Sequence, residues 1–285
     1  MSRRPSYYLN GESLGALGFL PAPGSSGRRN GLAFETRGLQ LPGVAGELDA
    51  GAPRQAAVRT IEIVGEVRGT GRADVLDKVE TILALSGRGL VELRAVDAAD
   101  RMILVERTGV TQVDVATPSL AEQDGASKSV SLTLRFRAAD PTWRDREPQL
   151  LAIGQGSTPL PLGKLLPSPW TLEILGSELG TVVAPQVLYE DAGGNVLRTL
   201  TLSATLDWST DATARYRIST EGVAPRVERM IAGVWTGADA ECNGDFFPLS
   251  PLDGWIPGGA YPRLRLYDAG GRATGQLRYR RRYEL

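Results

Sequence analysis

Histidine is absent from the 285-residue chain, which removes the commonest general base, the commonest transition-metal ligand and the usual pH switch together. Cysteine occurs once, at Cys242. An intrachain disulfide, a cysteine-rich zinc site and a Cys-His catalytic pair are therefore all excluded, and a small, partly buried residue is expected there. Lysine stands only at Lys78, Lys128 and Lys164, so arginine carries nearly all the basic charge. A net charge is also lacking: 32 basic residues face 33 acidic ones, for a formal balance of -1, and no overall field draws nucleic acid or an anionic membrane. No apolar run reaches the ~20 residues that span a bilayer as a helix, and Arg3 and Arg4 are followed by no apolar signal core. A soluble protein made in the cytoplasm, without membrane insertion, is expected.

What is present describes an ordinary globular chain. Hydrophobic residues make up 42% and charged residues 23%, both near the averages for folded proteins, and the length favours two domains over one large core. Apolar residues recur with a period of two, as strands with one buried face require. In the run 128–137, Val130, Leu132, Leu134 and Phe136 alternate with Ser129, Ser131, Thr133, Arg135 and Arg137. Ile61, Ile63 and the run 101–116 read the same way. Helical spacing occurs within 72–86, where Val75, Leu76, Val79, Ile82 and Leu83 form one stripe; Asp74 suits the helix start and Gly87 a left-handed cap just past its end.

Between residues 138 and 168 the alternation fades among Pro141, Pro148, Pro159, Pro161 and Pro167, so 141–167 is expected to be a proline-rich connector between domains 1–140 and 168–285. Alternation resumes at Trp170, Leu172 and Ile174, again from Leu200 to Leu206, at Ala214, Tyr216 and Ile218, and at Leu264 and Leu266. Gly193-Gly194-Asn195 and Asp268-Ala269-Gly270-Gly271 supply turn signals between paired runs. A second, all-β domain of sandwich type follows, without a helix.

The motifs that suggest chemistry fail on their own terms. Gly69-Thr70-Gly71 precedes the helix as a dinucleotide turn would, but the third glycine is replaced by Asp74, which would repel a pyrophosphate. Gly156 and Gly163-Lys164 are spaced too widely for a phosphate loop, and Leu165 replaces the magnesium-binding hydroxyl. The carboxylate pairs Glu47 with Asp49 and Glu190 with Asp191 could serve glycoside hydrolysis only at a set separation; the second pair abuts a glycine turn and is read as a solvated loop end. Arg278, Arg280 and Arg282 alternate with Leu277, Tyr279 and Tyr283, which predicts a final strand with a basic outer face, while Arg281 on the apolar side needs a carboxylate partner or a route to water. No catalytic residue, stoichiometric metal, nucleotide or other cofactor is expected.

Several segments resemble one known family. Tyr7-Tyr8-Leu9-Asn10-Gly11 followed by a second strand, then strand, helix and further strands closing on the Phe136 strand and Pro141-Thr142-Trp143, resembles the distal tail proteins of long-tailed phages, often called Dit. In the second half, Leu200 to Leu206 runs into Asp207-Trp208. Asn243-Gly244-Asp245-Phe246-Phe247-Pro248-Leu249 then leads to a Pro-Gly-Gly step at Pro257 and a closing Tyr279-Arg280-Arg281-Arg282-Tyr283. The resemblance covers essentially the whole chain, and the Asn-Gly-Asp-Phe-Phe-Pro-Leu segment is its most specific element. The Gly- and Pro-rich stretch 21–54 departs from the family pattern.

That resemblance implies a ring-forming N-terminal domain of tail-tube type, a β-sandwich or split barrel with one flanking helix, and a peripheral galectin-like C-terminal sandwich. It implies a structural virion protein at the distal end of the tail: a homo-hexameric adaptor ring between the tail tube protein and the tip hub, tail-associated protein or fibres, with DNA passing through the lumen unread. On this reading, 101–116 and 127–137 form an extended hairpin with the polar tip 118–126, and Val130, Leu132, Pro118, Asp124 and Lys128 are ring-interface candidates. Trp208, Trp255, Arg278, Arg280 and Arg282 are candidates for a peripheral contact surface. Two rivals stand beside it: a tail tube subunit, and a carbohydrate-binding module using Trp170, Trp208, Trp235 or Trp255 for host surface glycans.

Overall fold

The period-two runs become strands and the 3.6-period run becomes the helix Arg72–Ser86 in the computed structural model. It describes residues 7–22, 34–35, 38–39, 48–49, 55–56, 58–95, 100–114, 129–162, 167–175, 180–203, 205–221, 224–251 and 261–283. The fold is mainly β and forms two units, residues 1–144 with 284–285, and residues 145–283.

In the first unit an antiparallel sheet runs in the order Glu12–Ser13, Tyr7–Leu9, Leu90–Ala95, Arg101–Asp114, Ser129–Ala138, Arg59–Arg68, Phe19–Pro21. Register places like with like: Val130 lies opposite Val67, Leu134 opposite Ile63 and Phe136 opposite Ile61, all buried. Leu132 faces Gly65, and the Phe19 ring fills the space where a Cβ at Gly65 would stand, 2.4 Å from that position. The helix packs against Arg59–Arg68 and Ser129–Ala138 through Val75, Val79 and Ile82. Within the glycine- and proline-rich stretch, Gly38–Leu39 pairs with Leu48–Asp49, and Phe34–Glu35 pairs with Gln55–Ala56.

Both helix ends are closed by side chains. Asp74 accepts from the Thr70 amide at 2.7 Å, from the Thr70 hydroxyl and from Lys78 at 2.8 Å. Chiefly the Lys78 hydrogen bond, then the Thr70 amide, hold its carboxyl below the usual range. At the other end the expected left-handed Gly87 is not found: its φ is -92. Arg107 reaches from a neighbouring strand instead and donates to the Leu83 carbonyl at 2.8 Å and to Ser86 Oγ at 2.9 Å, a cation on the negative helix end. A Cβ at Gly87 would stand 3.1 Å from that guanidinium and 3.1 Å from the Leu83 carbonyl oxygen, a tight fit for any larger residue.

The second unit is a two-sheet sandwich. One sheet runs Gln149–Ile153, Thr274–Tyr279, Trp170–Leu175, Arg215–Ser219, Arg226–Ile231, Val234–Gly237; the other runs Thr158–Pro159, Arg263–Tyr267, Gln186–Glu190, Val196–Leu202, Cys242–Asn243. Their inner faces share one core that includes Trp170, Leu172, Tyr216, Tyr189, Leu200, Leu266 and Tyr279. The segment 141–167 is therefore not the free connector expected from its prolines. Two of its strands, Gln149–Ile153 and Thr158–Pro159, are outermost members of the two sheets, pairing with Thr274–Tyr279 and Arg263–Tyr267, and proline is tolerated at an edge because the missing donor faces outward. The turn at Asp268 also differs from expectation. Its flanking strands lie in different sheets, so it is an arch across the sandwich, and Asp268 braces it by accepting from the amides of Gly270, Arg272 and Ala273 and from Gln155.

Candidate functional site

In the first unit's sheet a long strand outruns its neighbour among the described residues. Arg101–Asp114 is long, and Leu90–Ala95 covers one side of it only from Ile103 to Glu106, whereas Ser129–Ala138 pairs along the other side from Glu106 to Asp114. Beyond Glu106 the pairing with Leu90–Ala95 stops; Trp143–Asp145 also pairs with this long strand. Unpaired backbone donors and acceptors on such an edge invite another strand. Two apolar side chains accompany it: Leu90 is 65% and Val110 is 38% exposed.

The ring-interface candidates taken from the alternation fare differently. Val130 and Leu132 are 1% and 0% exposed and belong to a strand flanked on both sides, so their side chains are core and offer a second copy no surface. Sequence alternation marks a buried face, but it does not say whether the burying partner is the same chain. Pro118, Asp124 and Lys128 lie outside the described residues, as does the hairpin tip. Leu90 and Val110 were missed because only the register reveals where one strand outruns its neighbour.

In the second unit the family-like segment acts as an internal lock. The indole of Trp170 donates to the Phe247 carbonyl at 2.6 Å, and the Phe247 ring stacks on Tyr189 at 5.0 Å. Gly244 has φ +118, and a Cβ there would stand 2.3 Å from the Thr199 carbonyl oxygen, which explains glycine at that point of the motif. Trp170 is thus core, not a sugar platform. Trp208 donates to the Ala214 carbonyl at 2.9 Å and packs against the same core while remaining partly exposed. Trp235 is half-buried under the Arg217 guanidinium, 3.9 Å away, and Trp255 lies outside the described residues.

The expected basic face of the last strand is cut short. The strand ends at Tyr279; Arg278 is exposed on it, but Arg280 donates to the carbonyls of Asp145 and Arg146 and Arg282 to that of Pro167. Arg281 has the carboxylate partner that its position called for: Asp145, at 2.8 Å, which also accepts from the Tyr283 hydroxyl at 2.8 Å.

Among the described residues, the motifs weighed for catalysis are taken up in structural contacts. Glu190 is not a solvated loop end: it is 1% exposed, 3.0 Å from Arg265 and hydrogen-bonded by Ser157 at 2.5 Å. Asp191 braces its turn through Asn195, whose side chain is the main reason its carboxyl stays below the usual range. At Gly69 a Cβ would stand 2.5 Å from the Asp74 carboxylate, so a carboxylate occupies the place where a phosphate would sit. Glu47 and Gly163-Lys164 lie outside the described residues. Among the described residues no group of three or more His, Cys, Asp or Glu side chains is placed to hold a metal, and no helix is long and apolar enough to cross a membrane.

No family profile matches the chain, and no curated protein sequence does. The fold is nevertheless found among solved structures. The crystal structure of the Dit protein of phage SPP1, described as a paradigm of the hub adsorption apparatus in phages infecting Gram-positive hosts, superposes with a TM-score of 0.68 at 16% identity, covering 98% of this chain and 99% of that one. A chain of the phage P2 baseplate in its activated conformation with Ca follows with a TM-score of 0.49 at 10% identity, covering 99% of each chain. The chain has the fold of the SPP1 protein from end to end.

Proposed function

We propose that this chain is a structural subunit of a tailed-phage virion, a distal tail adaptor whose first unit closes a hexameric ring between the tail tube and the tip hub, around a channel for DNA. The observation that carries the reading is the correspondence with the SPP1 hub protein over the full length of both chains. The missing histidine supports a role without catalysis. The unfinished edge beyond Glu106 supports ring closure: a head-to-tail contact that adds a strand to this edge uses different surfaces on the two copies, and such contacts give a ring when the rotation closes and a filament when it does not.

Native mass spectrometry and electron microscopy of the whole chain test this, alone and beside the tail tube protein, with a hexameric ring expected. Replacing the exposed Leu90 and Val110 with aspartate is expected to abolish the ring without lowering the melting temperature. The buried Val130 and Leu132 do not serve that purpose, because aspartate there unfolds the unit. A chain that stays monomeric or forms a two-fold dimer in both conditions refutes the proposal. Densitometry of purified virions separates adaptor from tube subunit, since a tube protein stacks in many rings.

A further inference from the structure

The outward face of the six-stranded sheet in the second unit carries chemistry that ring assembly does not use. Antiparallel register lines up its side chains in rows that cross the strands. Arg278, Thr171, Ser219 and Arg226 form one row, and Gln276, Glu173, Arg217 and Glu228 the next. Two adjoining depressions of about 590 and 430 Å³, both bordered by Glu173 and Gln276, run along this face and open to solvent.

The second row is organised in advance. Arg217 donates from Nε at 3.0 Å and from Nη2 at 2.7 Å to one oxygen of Glu173, lies 3.7 Å from Glu228 and stacks on Trp235 at 3.9 Å. These polar groups are therefore held in one arrangement before any ligand arrives, which lowers the ordering cost of binding. The first row is different. Arg226 and Arg278 are exposed, and among the described residues neither has an ion pair or a side-chain hydrogen bond. Between them stand the hydroxyls of Thr171 and Ser219, 3.1 Å apart. Three strand spacings of ~4.8 Å put the two arginine backbones about 14 Å apart.

An apolar ligand finds no enclosed apolar pocket here, and a nucleic acid needs a continuous cationic track, which the two carboxylates of the second row interrupt. An extended chain rich in hydroxyls, with acidic groups on one side, matches both rows. We propose that this face binds an acidic oligosaccharide, its carboxylates or phosphates on Arg226 and Arg278 and its hydroxyls on Gln276, Glu173, Glu228 and the rim of Trp235.

A glycan array of neutral and acidic oligosaccharides, followed by isothermal titration calorimetry of the full chain with tetragalacturonate and maltotetraose, tests the proposal. Saturable binding of acidic saccharides is expected, and the double substitution Arg226→Ala with Arg278→Ala should weaken it by about tenfold or more, since charge-assisted hydrogen bonds are lost. Its melting temperature should be unchanged, because neither side chain has a partner to lose. Array silence for every acidic saccharide overturns the proposal, as does binding untouched by the double substitution. Equal affinity for maltotetraose overturns the acidic assignment. Equal affinity for a linear polyphosphate reduces the site to bare charge and overturns it too. The readout is ligand binding by the soluble chain, so its failure is distinct from failure of the ring.

Discussion

A carboxylate on the outward side of a strand is ordinarily solvated, and Glu190 shows what changes that. Its neighbours Val187 and Tyr189 point into the sandwich core, so Glu190 itself lies on the opposite side, where Ser157 and Arg265 cover it. Burying a charge without its partner is costly, whereas a paired one is tolerated. Arg265→Met is expected to lower the unfolding free energy by about 3 kcal/mol, at the lower end for a broken buried pair because the arginine keeps contact with water. Adding Glu190→Gln should recover most of that loss, because no charge then remains stranded. Urea unfolding of the single and double variants measures both; equal stability of Arg265→Met and the unsubstituted chain would show that the pair holds nothing.

At the scale of elements, the helix illustrates how a terminus is completed from outside its own sequence. The stripe of Val75, Val79 and Ile82 and an acidic Asp74 near the helix start were both legible in the amino-acid order, but the closing cation was not. Arg107 lies a strand and a turn away, and nothing local marks it as a cap. Replacing Arg107 with methionine is expected to cost about 1 kcal/mol, the net value of a hydrogen bond reinforced by the helix dipole. The loss should be local: hydrogen exchange ought to quicken at residues 83–86 while the amides of Arg59–Arg68 keep their protection. Uniform loss of protection would assign Arg107 to the core instead.

For the molecule as a whole, the position of the division matters more than its existence. A cut after residue 157, placed by the proline pattern, carries Gln149–Ile153 away from Thr274–Tyr279 and leaves an unpaired strand on the fragment. A cut after Arg144 follows the division between the units and takes no part of Gln149–Ile153 with it. The fragment ending at Arg144 is therefore expected to be soluble with native circular dichroism, and the one ending at residue 157 more prone to aggregate, as light scattering after size exclusion will report. The reverse order would mean that residues 145–157 stabilise the first unit.

Local periodicity alone determined the strand-rich class, the helix over Arg72–Ser86 and the buried face of Ser129–Ala138, because each depends on spacing along one stretch of chain. The absence of histidine likewise excluded its chemistry without any coordinates. Tertiary structure decided what depends on neighbours distant in sequence: that Val130 and Leu132 are covered by their own chain, that Arg101–Asp114 outruns its partner, that the turn at Asp268 crosses between sheets, and that the proline-rich segment supplies edge strands. Hydrophobic alternation records that a face is buried, and the register of long-range pairing decides against what.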